Sequence, residues 1–295
     1  MNILERDSDR LYTTKEWLTI TASVKRYGDE KEMIHRPDLW AHIRRVAYLS
    51  EIIGRYLNGF DHSPFNIDLK KTFNMGYHHD DSEFILPDIN SQVKSKLSKE
   101  QEDKLKEQEG ATIKALAILF YGYKQNSPEY EKYLSLHKEY EDKQTLEAKI
   151  VNIADKWDAV GEILHDIRCG NKKFVKLMDF SANRFKIFAF SCHTFWDILE
   201  KSPVFEFDKI PTSKEATNLP TISINDLKKP SDVAKTMSWE ATKDYPTIYR
   251  TWAEINRTIF DVRPEKFIFP GWYMQLWVNW NTFPGKTTAS GLWIR

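Results

Sequence analysis

Residues 68–83, DLKKTFNMGYHHDDSE, decide the class of fold. Leu69, Phe73 and Tyr77 recur at steps of four, the spacing of an α-helix with one apolar side. The helix runs into His78-His79-Asp80-Asp81, where imidazole and carboxylate groups stand side by side. A His-Asp pair alone carries little weight, because the dipeptide is common. Its meaning depends on what neighbouring segments bring to it.

Upstream, residues 40–57 (WAHIRRVAYLSEIIGRYL) place Ile43, Val46, Ala47, Ile53 and Leu57 on a broad apolar face. His42 is in register with Val46, Leu49 and Ile53, and Asp38 after Pro37 is the expected N-cap. Downstream, a helix is predicted over 145–168, with Leu146, Ile150, Ile153, Trp157, Val160, Leu164 and Ile167 in one stripe and Gly170 as its cap. Asp155 follows Val151 by one turn in KIVNIADKWDAV, an otherwise apolar setting. Burying a lone aspartate costs on the order of several kcal/mol. A cation shared with two imidazoles and another carboxylate would remove that cost. Taken singly, His42, His79, Asp80 and Asp155 each read more readily as satisfied core residues. Together, on three helices, they can offer two nitrogen and two oxygen ligands to one divalent ion.

No convincing strand alternation occurs up to about residue 200. The charged run SKLSKEQEDKLKEQEG (95–110) reads as a solvated helix face or a mobile loop and leads into an apolar helix around 111–123. Residues 171–200 read as one or two further helices. Pro203, Pro211, Pro220 and Pro230 mark 202–235 as an irregular connection. A helix is then expected over 247–261, with Ile248, Trp252, Ile255 and Ile259 on one side. Six of the ten tryptophans lie beyond residue 211, so the aromatic tail has to bury them somewhere.

Composition excludes several classes. The formal net charge is +0, which gives no global field toward nucleic acid or an anionic membrane. Cys169 and Cys192 are too few for a disulfide framework, the start of the chain is too charged for a signal peptide, and no apolar run reaches a membrane span. A cytoplasmic protein is the expectation.

The order H…HD…D resembles that of the HD-domain phosphohydrolases, and within them the bacterial YfbR-like 5'-deoxynucleotidase group. RPDLWAHIRRVA is similar to the group's segment around its first metal histidine, HHDDSEFILPD to its HDxxExxxxD motif, and IADKWDA to its later aspartate segment. GEILHDIRCGNKKF is similar to the helix and Gly-Asn turn that follow. The resemblance covers roughly residues 15–210 and implies an all-α HD-domain helical bundle over 1–211. Residues 212–295 are then an extension that packs on the core or forms a subunit contact.

The resemblance also implies roles. His42, His79, Asp80 and Asp155 become metal ligands, Glu83 the catalytic acid/base, Asp88 a sugar contact, and Arg26 with Tyr27 a substrate-contacting pair. Glu83 comes four positions after His79, one turn further if the helix continues. Mixed imidazole and carboxylate ligands favour Mn, Co, Fe, Ni or Zn, with Mg admitted. Two departures touch the nucleoside pocket: Leu86-Pro87-Asp88 stands where Thr-Gly-Asp is usual, and Tyr27 where Trp is usual. The expected reaction is hydrolysis of a (deoxy)nucleoside 5'-monophosphate. The alternatives are a dNTP triphosphohydrolase, which would need extra cations such as Arg44, Arg45 or Lys25, and a nucleotide-binding HD domain without turnover. A small nucleotide is the expected partner, with no nucleic acid or membrane, and a homo-oligomer is admitted. Asp158 and Glu162 share a face with Asp155 and could support the ligands or simply meet solvent. His78 points about 100° away from His79 around a helix and is not expected to bind metal.

Overall fold

Asp38 starts the first described helix as the sequence predicts, its carboxylate accepting from the backbone N–H of Ala41 at 2.9 Å. In the computed structural model that helix, α1, runs Leu39–Gly59. The structure describes residues 38–59, 63–86, 96–176, 193–200, 209–222 and 236–261, together with isolated residues that include Val24 and Arg26. Tyr27, Asp88, Lys25 and the aromatic tail from 262 onward lie outside the described residues.

After α1 come α2 (Leu69–His78), a 3-10 turn (Asp81–Phe84), α3 (Lys99–Leu119), α4 (Pro128–Asp142) and α5 (Leu146–Arg168). A second 3-10 turn (Lys172–Phe174) precedes α6 (His193–Glu200), the short α7 (Ser213–Ala216) and α8 (Thr247–Asp261). The fold is all-α: no strand occurs among the described residues. No described helix is long and apolar enough to cross a membrane.

The central helices are α1, α2 and α5, which pack on one another, and α8 lies against both α5 and α1. Ile43, Val46, Ala47, Leu49, Ile53 and Leu57 of α1 are fully buried, as are Ile150, Ile153, Leu164 and Ile167 of α5. Burial of that apolar area is the main force joining the helices. Gly76 fixes the closest approach of α2 to α1: a Cβ there would stand 2.9 Å from Ala47 Cα. Gly170 ends α5 with φ +98°, a left-handed conformation that glycine adopts without strain.

The charged run takes the helical one of its two expected forms: α3 is a regular helix, started by a capping box in which Ser98 and Gln101 satisfy each other's backbone. One segment differs from expectation, at Glu83. The helix does not continue through it: α2 stops at His78, and Glu83 sits in the 3-10 turn with its N–H donating to Asp80 O at 2.9 Å. The cause is Asp81. Its buried carboxylate accepts from Tyr133 OH at 2.7 Å and Tyr121 OH at 2.8 Å and meets His78 Nδ1 at 2.9 Å, which draws the chain into a tight turn.

Candidate metal centre

The Gly76–Ala47 contact brings the ends of two imidazoles together. His42, from the first turn of α1, and His79, at the end of α2, place their Nε2 atoms 3.2 Å apart. Asp80 Oδ2 lies 3.0 Å from His42 Nε2 and 3.3 Å from His79 Nε2. From α5, Asp155 Oδ1 stands 3.7 and 3.9 Å from the same two nitrogens. Three separate helix ends or faces thus deliver four donor atoms to one point.

The protonation of the rings follows from their other nitrogens. His79 Nδ1 lies 2.8 Å from Gly76 O, and a carbonyl only accepts, so Nδ1 carries the hydrogen. His42 Nδ1 lies 2.7 Å from Asp158 Oδ2. Burial alone would raise the Asp158 pKa, but the Arg45 charge and hydrogen bonds from His42 and Arg45 hold it far below the usual carboxylate range. That carboxylate also only accepts. With a hydrogen on Nδ1 of both rings, Nε2 is the atom that each ring turns toward the other and toward two carboxylate oxygens. Four electron-pair donors face one another, which is favourable only with positive charge between them. The residues fit a metal ion.

Electrostatics agree. Burial and the Arg26 charge oppose a proton on His42, yet Asp158 and Asp80 carry its pKa up to about 9, so its surroundings attract a cation. Burial likewise opposes charge on Asp155, and the charges of Lys156, His79 and His42 bring its pKa down to about 2. Asp80 is held well below the ordinary range against its burial by His79 and His42. Both carboxylates are ionised at neutral pH.

Behind His42 lies a buried ionic layer. Arg45 donates from Nε to Asp158 Oδ1 at 2.5 Å, from Nη2 to Asp158 Oδ2 at 3.0 Å and to Glu162 Oε1, and from Nη1 to Asn256 Oδ1 at 3.0 Å. Asp158 and Glu162 are buried, not solvated. With His42 they make a second cluster of metal-ligand types, but the Arg45 guanidinium already supplies its positive charge. Burial, followed by the Asp158 charge, raises the Glu162 pKa.

Arg26 is buried beside the centre, donating from Nη1 to Asp80 Oδ2 at 3.2 Å, with Nε 3.7 Å from Glu162 Oε2. Glu83 is half-buried, and with Asp80 it acts electrostatically on Tyr140 and Lys94. Tyr140 stacks edge-on against the His79 ring, centroids 5.5 Å apart. Burial first, then Asp155, Asp80 and Glu83, keep its phenol well above its ordinary pKa. Sequence reading did not find Tyr140. The Ser127-Pro128 start of α4 was a usable signal for the helix, though nothing marked Tyr140 within it. His78 turns away toward Asp81 and Tyr121, as expected.

The model of the 5'-deoxynucleotidase YfbR-like family matches residues 16–198. No curated protein matches the chain. Among solved structures, a crystal structure of a Pyrococcus horikoshii OT3 protein is 18% identical, with 69% of this chain and 96% of that chain covered and a TM-score of 0.44. A conserved hypothetical protein from Pyrococcus furiosus is 19% identical, with 65% and 90% covered and a TM-score of 0.37. Neither likeness is close enough to carry weight.

Proposed function

The chain belongs to the 5'-deoxynucleotidase YfbR-like family, and on that premise we propose that it hydrolyses (deoxy)nucleoside 5'-monophosphates to nucleoside and phosphate. The observation that carries the reading is the meeting of His42 Nε2, His79 Nε2, Asp80 Oδ2 and Asp155 Oδ1 around one point. These four residues would hold one divalent ion, with Mn, Co, Fe, Ni or Zn suiting the donor set and Mg admitted. Such an ion supplies Lewis acidity, neutralising phosphate charge and making water more acidic at neutral pH.

The remaining work falls to the chain. Arg26 is assigned to the phosphate: its guanidinium, held by Asp80 in this structure, would exchange that contact for two phosphate oxygens. Glu83 is assigned the proton: it orients the attacking water or protonates the 5'-oxygen as the P–O bond breaks. Tyr27 and Asp88 are assigned to the nucleoside. The catalytic portion is taken as 1–211, with 212–295 as an extension of it.

The triphosphate alternative ranks lower on one observation. Arg45 is engaged by Asp158, Glu162 and Asn256, while Arg44 donates to Trp40 O and Tyr77 OH, both at 3.2 Å, so both guanidiniums have partners inside the fold. The test is phosphate and pyrophosphate release from a panel of mono-, di- and triphosphates with Mn or Co. Monophosphate turnover abolished by Asp155→Ala is the expected result. Triphosphate turnover alone, or nucleotide binding without turnover, would replace this reading with one of its two alternatives.

A further inference from the structure

The residues matched by the family end at 198, yet the ionic layer behind His42 is not closed until α8. Asp158 receives four donors. His42 Nδ1 and Arg45 Nη2 occupy Oδ2 at 2.7 and 3.0 Å, and Arg45 Nε occupies Oδ1 at 2.5 Å. The fourth is Trp252 Nε1, which donates to Oδ1 at 2.6 Å. A carboxylate has about four lone-pair positions, so these four donors saturate it and fix the plane in which it lies. That plane sets the direction of the His42 ring. One turn further along α8, Asn256 takes the remaining arm of Arg45 at 3.0 Å. Both side chains are essentially inaccessible to solvent, at 1% and 0% exposure, so water cannot substitute freely for either.

α5 is shaped for this contact. Gly161 lies one turn after Trp157, and a Cβ there would stand 2.3 Å from the Trp252 ring. A glycine inside a helix costs about 1 kcal/mol relative to alanine. Here it provides the seat of the indole. The Arg45 guanidinium lies 5.2 Å from the ring centroid, which adds a cation–π contact to the same indole.

We propose that Trp252, supported by Asn256, is a positioning residue for the metal centre: α8 locks Asp158, Asp158 locks His42, and ion affinity depends on a helix outside the family's matched residues. This rests on the reading of His42, His79, Asp80 and Asp155 as metal ligands.

The experiment titrates Co²⁺ alone into the full-length protein and follows its visible d–d absorption. Trp252→Phe keeps a smaller aromatic ring in the seat and loses the N–H. Tyr249→Phe is the control, because it removes another α8–α5 hydrogen bond, Tyr249 OH to His165 Nδ1 at 3.0 Å, without touching Asp158. The expected result is affinity weakened about tenfold and a changed spectrum in Trp252→Phe, with neither change in Tyr249→Phe. Wild-type affinity and spectrum in Trp252→Phe overturn the proposal, and so does equal weakening in both variants, which would mean helix docking alone. If Trp252→Phe does not fold, Asn256→Ala is read by the same two criteria. If the wild-type protein binds no Co²⁺, the ligand assignment itself fails and this inference falls with it.

Discussion

Glu83 is the side chain that can separate chemistry from metal binding, because it sits in the 3-10 turn just after His79 and Asp80 and is not among the four converging donors. Glu83→Ala is expected to titrate with Co²⁺ as wild type does while kcat falls by about 10²–10⁴. Retained turnover would remove Glu83 from its assigned role. His137 offers a second measurement at this scale. Burial, outweighing the opposing Asp81 charge and helped by His78, lowers its pKa from 6.5 to about 4. Its neutral form is therefore favoured in the fold. The stability it contributes is fully present above about pH 6.5 and is lost as pH falls through that value toward 4, by at most about 3 kcal/mol. Urea unfolding at pH 7.5 and pH 4.5 is expected to show a smaller pH difference in His137→Gln than in wild type; equal differences would sink the argument. Individual residues were unequally legible. His42 and Asp155 were visible because a polar residue inside an apolar stripe needs a reason. Arg45 gave no such signal, since an arginine on a helix is ordinarily solvated, and its burial depends on carboxylates more than a hundred residues away.

At the scale of elements, helix periodicity gave α1, α5 and α8 to within a residue or two, and the start of α2. It could not give the place where α2 stops. That boundary is set by Asp81 binding Tyr121 and Tyr133, contacts across 40 and 52 residues that no local pattern records. The crossing of α1 and α2 makes a sharper test. Helix propensity alone predicts that Gly76→Ala stabilises the protein by about 1 kcal/mol. The clash with Ala47 opposes this, since overpacking costs about 1–3 kcal/mol and forces the helices, and with them the two imidazoles, apart. Weaker Co²⁺ binding with a thermal midpoint no higher than wild type is expected. A more stable variant with unchanged Co²⁺ affinity would show that the close approach has no part in forming the centre.

For the whole molecule, an ion that binds only the native state raises the melting temperature by mass action. At an ion concentration of about 100 times Kd the stabilisation is about 2.7 kcal/mol, a shift of roughly 4–5 °C for a chain of this size. The shift is expected with Co²⁺ or Mn²⁺, reversed by a chelator, and missing in Asp155→Ala. An equal shift in that variant would locate the binding elsewhere. The all-α class was legible because apolar residues repeat at helical spacing over most of the chain. The joining of α8 to the centre was not: the pattern Ile248, Trp252, Ile255 identifies an apolar face without saying what it meets.

The Arg45–Asn256 and Asp158–Trp252 contacts also have an order in time. They span 211 and 94 residues of chain. On a ribosome adding about 5–20 residues per second, Arg45 emerges roughly 10–40 s before Asn256 does. For the first half of that interval the carboxylate partners of Arg45 on α5 do not yet exist, and for the second half they stand without α8. The final closure waits for the last described helix. A nascent chain stalled before residue 247 is therefore a natural object for asking when during synthesis this protein first acquires its taste for metal.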